Sequence, residues 1–228
     1  MSSLILLRHG QASFGAADYD RLSPLGAAQA TATGAYFAAV HGTRFDAVWT
    51  GPKRRHADTA QGVLAALGPD AAALPPQTEP ALDEFAEGQQ IIAAAERHFG
   101  VPLHGDAALP RRAQLQHYDA LIDAWARGDA AIDGCRDAEA FCRTVAQWLR
   151  RSVAWPGADQ RLLAVTSAGT IGAIVSELLG LPATQLPRFT RVLRNASLTE
   201  VVFSPGRGCN LLSFNGVAHL PPALHSAI

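Results

Sequence analysis

Short runs of consecutive apolar residues alternate along this chain with longer stretches whose apolar positions recur three and four apart, a pattern of buried strands interleaved with helices. Leu4-Ile5-Leu6-Leu7 and Leu162-Leu163-Ala164-Val165 are apolar at every position. The pattern predicts strands over 4–7, 45–49 and 161–166, with a short third strand ending at Leu74-Pro75-Pro76. Helices are expected from Pro24 to Val40 with Ser23 as cap, from 53 to 67, and from 170 to 179. Three more fill the middle, Gln89 to His98, Arg111 to Arg127 and Ala138 to Val153; in the last, Phe141, Val145, Trp148 and Leu149 fall at helical spacing. A terminal hairpin is expected around Ser204-Pro205-Gly206-Arg207-Gly208. No repeat, low-complexity tract or linker interrupts the alternation, which predicts one α/β domain over 1–228.

Chemistry collects where strands end. In an open α/β sheet ligands bind beyond the carboxyl ends of the strands, and the first strand delivers Arg8-His9-Gly10 there. Arg8 offers planar, permanently charged donors that match phosphate oxygens. His9 is a nucleophile when neutral, and a neighbouring guanidinium lowers its pKa. Gly10 removes a side chain where backbone must turn or approach a ligand. The second strand leads into Gly51-Pro52-Lys53-Arg54-Arg55-His56, with Pro52 opening a helix. Cations are disfavoured at a helix N-terminus, so Lys53, Arg54 and Arg55 imply an anion held between them. Leu82-Asp83-Glu84-Phe85-Ala86-Glu87-Gly88 is an acidic, Gly-terminated loop able to supply a proton to a leaving oxygen. Thr166-Ser167-Ala168-Gly169-Thr170 repeats the strand–turn–helix design of the first motif.

Together these segments resemble the histidine phosphatase superfamily, which includes cofactor-dependent phosphoglycerate mutase and many small phosphatases. Arg8-His9-Gly10 stands at the family signature and Leu22-Ser23-Pro24-Leu25-Gly26 with Gln29-Ala30 at the following helix start. Pro52, Arg55, Thr59 and Ala60 match the second arginine motif, and Leu82-Asp83-Glu84 with Gly88 the acid loop. Asn195-Ala196-Ser197-Leu198-Thr199 and Phe214 to Leu220 look like the terminal strands. The resemblance implies a three-layer α/β/α sandwich with a mostly parallel central sheet, like that of phosphoglycerate mutase, and a helical insertion over the site. It implies that His9 becomes phosphohistidine, that Arg8 and Arg55 clamp phosphate, and that Glu84 donates the proton. Substrate contacts would come from Arg8, Arg55, Gln11, Ser13, Ser167 and Ala168, with neither metal nor cofactor. One departure matters: the family's second histidine falls at Ser167, a neutral and shorter donor. Gly15 stands where many members carry asparagine and Gly51 where many carry serine. The expectation is a phosphomonoester phosphatase with weakened activity. A phosphoglycerate mutase-type phosphotransferase is the nearest alternative, although neither Gln11-Ala12-Ser13-Phe14-Gly15 nor the acid loop resembles the mutase pattern. A catalytically decayed phosphate-ligand or partner-binding protein is the alternative from another class.

The chain has 228 residues, 48% of them hydrophobic, enough for a large core. Its formal net charge of −1 gives no field for nucleic acid or a membrane surface, so the expected partner is a small phosphorylated substrate or inorganic phosphate. A homodimer is left open. Cys135, Cys142 and Cys209 have no metal-ligand or redox spacing, and with no signal-like or membrane-spanning run the expected compartment is cytoplasmic. Residues 89–135 lack a family counterpart and form the expected helical cap; its Arg97, His98, His104, Arg111, Arg112 and His117 read chiefly as the solvated faces of its helices, and His98 with His104 makes a poor metal pair. Asp83 and Glu87 read as structural or solvated carboxylates. His56 follows Arg55 on a helix, points about 100° away from it, and is expected to miss the site.

Overall fold

The computed structural model describes every residue except 14–19, 42–43, 155–156, 158, 205–206 and 227–228. Gly15, Pro205 and Gly206 therefore lie outside the described residues. In chain order the elements are β1 (Ser2–Arg8), α1 (Pro24–His41), β2 (Ala47–Thr50), α2 (Arg54–Leu67), α3 (Pro69–Ala72), β3 (Gln77–Thr78), α4 (Gly88–Phe99) and α5 (Arg111–Arg127). They continue with α6 (Ala138–Val153), β4 (Arg161–Thr166), α7 (Ala168–Leu178), α8 (Leu186–Thr190), β5 (Leu198–Ser204) and β6 (Gly208–Gly216).

The strands form one mixed sheet in the order β3-β2-β4-β1-β5-β6. The first four run parallel, and β5 and β6 continue the sheet antiparallel. The two wholly apolar runs are neighbours, with Leu4 opposite Leu162 and Leu7 opposite Val165. Burial on both faces explains their lack of polar alternation. Successive side chains point to opposite faces. Leu4, Leu6, Trp49, Leu162 and Ala164 join Ile91, Leu121, Trp125, Phe141, Val145, Trp148 and Ile171 in one apolar layer, with α4 to α7. Ile5, Leu7, Val48, Leu163 and Val165 face α1 and α2 through Phe37, Val63, Leu64 and Leu67 in the other. The result is the expected three-layer sandwich.

Two local expectations change. The third strand follows the prolines instead of preceding them, because Pro69 starts the short helix α3 and the chain becomes extended only at Gln77. The terminal strands begin later and end earlier than the resemblance suggests: 195–197 precede β5, and 217–220 lie beyond β6. Ala196 adopts a positive φ of 52°, which takes the backbone out of strand geometry before β5.

Register fixes the site. Arg8 pairs with Thr166, and the His9 N–H donates to the Thr166 carbonyl at 2.9 Å. The motifs after β1 and β4 therefore emerge side by side at the carboxyl edge of the parallel strands, beside the turn after β2, whose Gly51 N–H donates to Val165.

Candidate active site

His9 occupies the first turn after β1 and is 6% exposed. Its Nδ1 lies 2.8 Å from the Gly10 carbonyl, which holds the ring proton on Nδ1 and leaves a lone pair on Nε2. Burial, and then chiefly the charge of Arg8, push its pKa well below the usual 6.5. The turn is pinned from two sides. Gly10 N–H donates to Thr59 Oγ1 at 3.1 Å, the His9 carbonyl accepts from Ala196 N–H at 3.2 Å, and Thr59 in turn donates to the Arg55 carbonyl at 2.7 Å. Thr59 thus ties the turn after β1 to the first turn of α2.

Arg8 closes β1 with its guanidinium donating to the Leu193 carbonyl. Arg55 lies in the first turn of α2, its side chain 5% exposed, with Nη1 2.8 Å from Asp20 Oδ1 and 3.7 Å from Glu87 Oε2. Asp20 also accepts from the backbone N–H of Arg54 at 2.8 Å and lies 3.4 Å from that of Arg55. Lys53 pairs with Glu87 at 2.6 Å and Asp83 at 3.5 Å. Lys53 and Arg55 thus face the chain's own carboxylates, and Glu87 reaches both. Asp20 carried no signal in the sequence; it reaches α2 across a long loop.

Glu84 lies between β3 and α4. Its Oε1 accepts from Phe85 N–H at 3.0 Å and its Oε2 from Gly169 N–H at 3.2 Å. Desolvation by the surrounding protein raises its pKa, against the pull of those N–H groups, Arg55 and Arg8. Two buried hydroxyls fasten this loop to the β4–α7 turn: Thr166 donates to the Leu82 carbonyl and Thr170 to that of Asp83, each at 2.6 Å. Phe85 stacks on Trp125 of α5, ring centres 4.5 Å apart, so the 89–135 segment buttresses the acid loop. Gly169 makes the close approach possible. A Cβ there would lie 2.0 Å from Glu84 Oε1 and 2.5 Å from the Phe85 ring.

Ser167 is 1% exposed and precedes α7, whose first residue is Ala168. Its Oγ is 2.7 Å from His56 Nε2, and the His56 ring is centred 5.6 Å from that of His9. This corrects the expectation that His56 misses the site. Neighbouring helical residues do diverge by about 100°, but Arg55 and His56 are both buried in the first turn of α2, Arg55 towards Asp20 and Glu87 and His56 towards Ser167 and His9. Gln11 and Ser13 follow the His9 turn. Gln11 Oε1 accepts from Ser23 Oγ at 2.9 Å and its N–H donates to Gln29, while Ser13 N–H donates to the Arg21 carbonyl at 2.8 Å. His104 instead pairs with Glu96 at 2.7 Å and His117 packs on Phe99, neither with a contact to His9, Arg55 or Glu84 among the described residues. Among the described residues no three His, Cys, Asp or Glu side chains are grouped to hold a metal ion, and no helix is long and apolar enough to cross a membrane.

Residues 4–216 match the model of the histidine phosphatase superfamily, branch 1. The chain belongs to that superfamily. No curated protein sequence matches it at a significant level. Among solved structures, a phosphoserine phosphatase mutant from Entamoeba histolytica in complex with phosphoserine shares 21% identity at a TM-score of 0.66, covering 97% of this chain and 100% of that one. A mycobacterial glucosyl-3-phosphoglycerate phosphatase shares 24% at 0.63, covering 95% and 99%, and the alpha-ribazole phosphatase of Shigella flexneri shares 21% at 0.64, covering 94% and 96%. The histidine phosphatase has the fold of these enzymes.

Proposed function

We propose that this histidine phosphatase hydrolyses small phosphomonoesters without a metal, through a phosphohistidine on His9. The observation that carries the reading is the state of His9: a buried imidazole, its proton fixed on Nδ1 by Gly10 and its basicity suppressed by two guanidinium groups, presents a free Nε2 lone pair. Nε2 attacks phosphorus, the P–O ester bond breaks, and Glu84, whose protonated form is favoured by burial, gives the leaving oxygen its proton. Water then attacks phosphohistidine, and the Glu84 carboxylate takes back a proton as phosphate leaves. Arg8 and Arg55 hold the equatorial oxygens, where phosphoryl transfer needs charge stabilisation most. Ser167, Gln11, Ser13 and the Ala168 N–H supply the remaining contacts, and 89–135 caps the non-reacting part of the substrate within one domain. Phosphoserine, bound by a phosphatase of the same fold, indicates the size of substrate.

Rapid quench with labelled phosphomonoester is expected to trap an acid-labile, alkali-stable phosphoenzyme that His9→Ala lacks. Label persisting in His9→Ala refutes the assignment. Chelator should leave turnover intact and vanadate should inhibit it; activity lost to chelator and restored by a divalent ion would move the reaction to metal chemistry. Ser167 favours a second reading, a phosphate-binding protein without turnover. Hydrolysis at the His9→Ala level, with phosphate still bound tightly, would establish it.

A further inference from the structure

The chemistry above leaves one buried imidazole at the site without a part. His56 is fully buried, its Nε2 2.7 Å from Ser167 Oγ and its ring beside that of His9. Nδ1 has no partner of good geometry among the described residues, and it faces the Gly51 backbone, whose carbonyl favours a ring proton there. Room for the ring exists because position 51 has no side chain. A Cβ would lie 2.3 Å from His56 Nδ1 and 2.4 Å from the Leu82 carbonyl oxygen. A side chain longer than serine on the same course at 167 would run into Nε2.

A hydroxyl paired with an imidazole is also the arrangement of a nucleophile with its base. The surroundings decide against that role. Burial, and then the charge of Arg55, push the His56 pKa down to about 3, so the ring takes up no proton near neutral pH. It is a neutral partner whose single proton sits on either nitrogen.

We propose that His56 is a positioning residue for phosphoryl transfer, holding the Ser167 hydroxyl and exchanging tautomers when a phosphoryl group arrives, so that Ser167 donates to the anion. The inference rests on the phosphohistidine reading. With the site empty, the ring proton sits on Nδ1 towards the Gly51 carbonyl, and Nε2 accepts the serine hydroxyl. A phosphoryl oxygen is the stronger acceptor, since charge-assisted hydrogen bonds are roughly twice as strong as neutral ones. The hydroxyl turns to it, and His56, now protonated on Nε2, donates to the Ser167 oxygen from behind. Solvent water takes the proton from Nδ1 and returns one to Nε2, so the ring changes tautomer with no change in charge. An imidazole and a serine together then present one polarised donor where a serine alone would offer a weak one.

Two measurements test this. Ring ¹⁵N NMR of the wild-type protein, with His56 assigned by its loss in His56→Gln, should show Nε2 unprotonated in the free protein and protonated with vanadate bound. An Nε2 whose protonation is the same in both states overturns the proposal. In steady state on one aryl phosphate, His56→Phe should lower kcat about tenfold, the worth of one neutral hydrogen bond, with KM changed less than about threefold. His56→Gln, which can place an amide N–H near the same point, should recover most of that loss, and His56→Phe combined with Ser167→Ala should be no slower than Ser167→Ala. Wild-type kcat in His56→Phe, or fully additive losses, overturns the proposal while the phosphatase stands. Absence of any turnover that His9→Ala abolishes defeats the phosphohistidine reading instead, and the NMR result with vanadate then decides the pair by itself.

Discussion

Gly169→Ala tests whether the approach of α7 to the acid loop matters. At a helical glycine without a positive φ, alanine alone should stabilise by about 0.4–1 kcal/mol through the unfolded chain. Here the new methyl would lie 2.0 Å from Glu84 Oε1 and 2.5 Å from Phe85 Cδ1. The carboxyl can swing aside at the loss of its 3.2 Å bond from Gly169 N–H, but Phe85 is fixed between Trp125 and Phe141. Overpacking of that kind costs about 1–3 kcal/mol and outweighs the helix gain, for a net loss of about 1–2 kcal/mol. At ~2–4 °C per kcal/mol for a chain of this size, Tm should fall by about 2–8 °C. The displaced carboxyl should also slow alkyl phosphates more than a nitrophenyl ester, whose leaving group needs no proton. Thermal unfolding and rates on the two esters provide the readout. A higher Tm with an unchanged rate ratio would show that the loop yields freely and that Glu84 does not depend on its seat.

Glu84→Gln should reproduce the leaving-group effect, and an equal loss on both esters would make Glu84 structural. Thr59→Val leaves the buried Gly10 N–H without its acceptor and should cost about 1–3 kcal/mol in urea unfolding, with Thr59→Ser close to wild type; an unchanged midpoint in Thr59→Val refutes the tie. Stability should fall as pH drops below about 6.5, because His9, His56 and His219 resist protonation in the fold by burial while the unfolded chain takes the protons up. Each contributes at most about 1.4 kcal/mol per pH unit, down to about 4 for His219 and about 3 for His56, and the raised pKa of Glu84 opposes them with one group against three. A urea midpoint at pH 5 equal to that at pH 7 would contradict the sign.

Much of this molecule is legible in its pattern. β1 and β4 are apolar on both faces because both are covered, and α6 buries Phe141, Val145, Trp148 and Leu149 as their spacing predicts. Arg8, His9, Arg55, Glu84 and Ser167 meet because each follows a strand of the parallel half or lies one turn beyond it. What escaped is set by three-dimensional approach. His56 belongs to the site because the first turn of α2 packs against Ser167 and His9, and helical periodicity says nothing of which neighbours a helix end will meet. Asp20 supplies the counter-charge for α2 from a loop with no motif, and the N–H groups behind Glu84 belong to Phe85 and Gly169, whose side chains give no warning of the role.

The parallel pairing of β1 with β4 also governs when the site can exist. Gln160 N–H reaches Ser2 Oγ across 158 residues of sequence, and contacts that distant are closed late, after much chain entropy has been lost. The turn bearing His9 leaves the ribosome well before the hydroxyls of Thr166 and Thr170 that seat its acid. No amino-terminal fragment that stops before β4 can hold the four motifs together. Recovery of turnover during refolding therefore requires the pairing of β1 with β4.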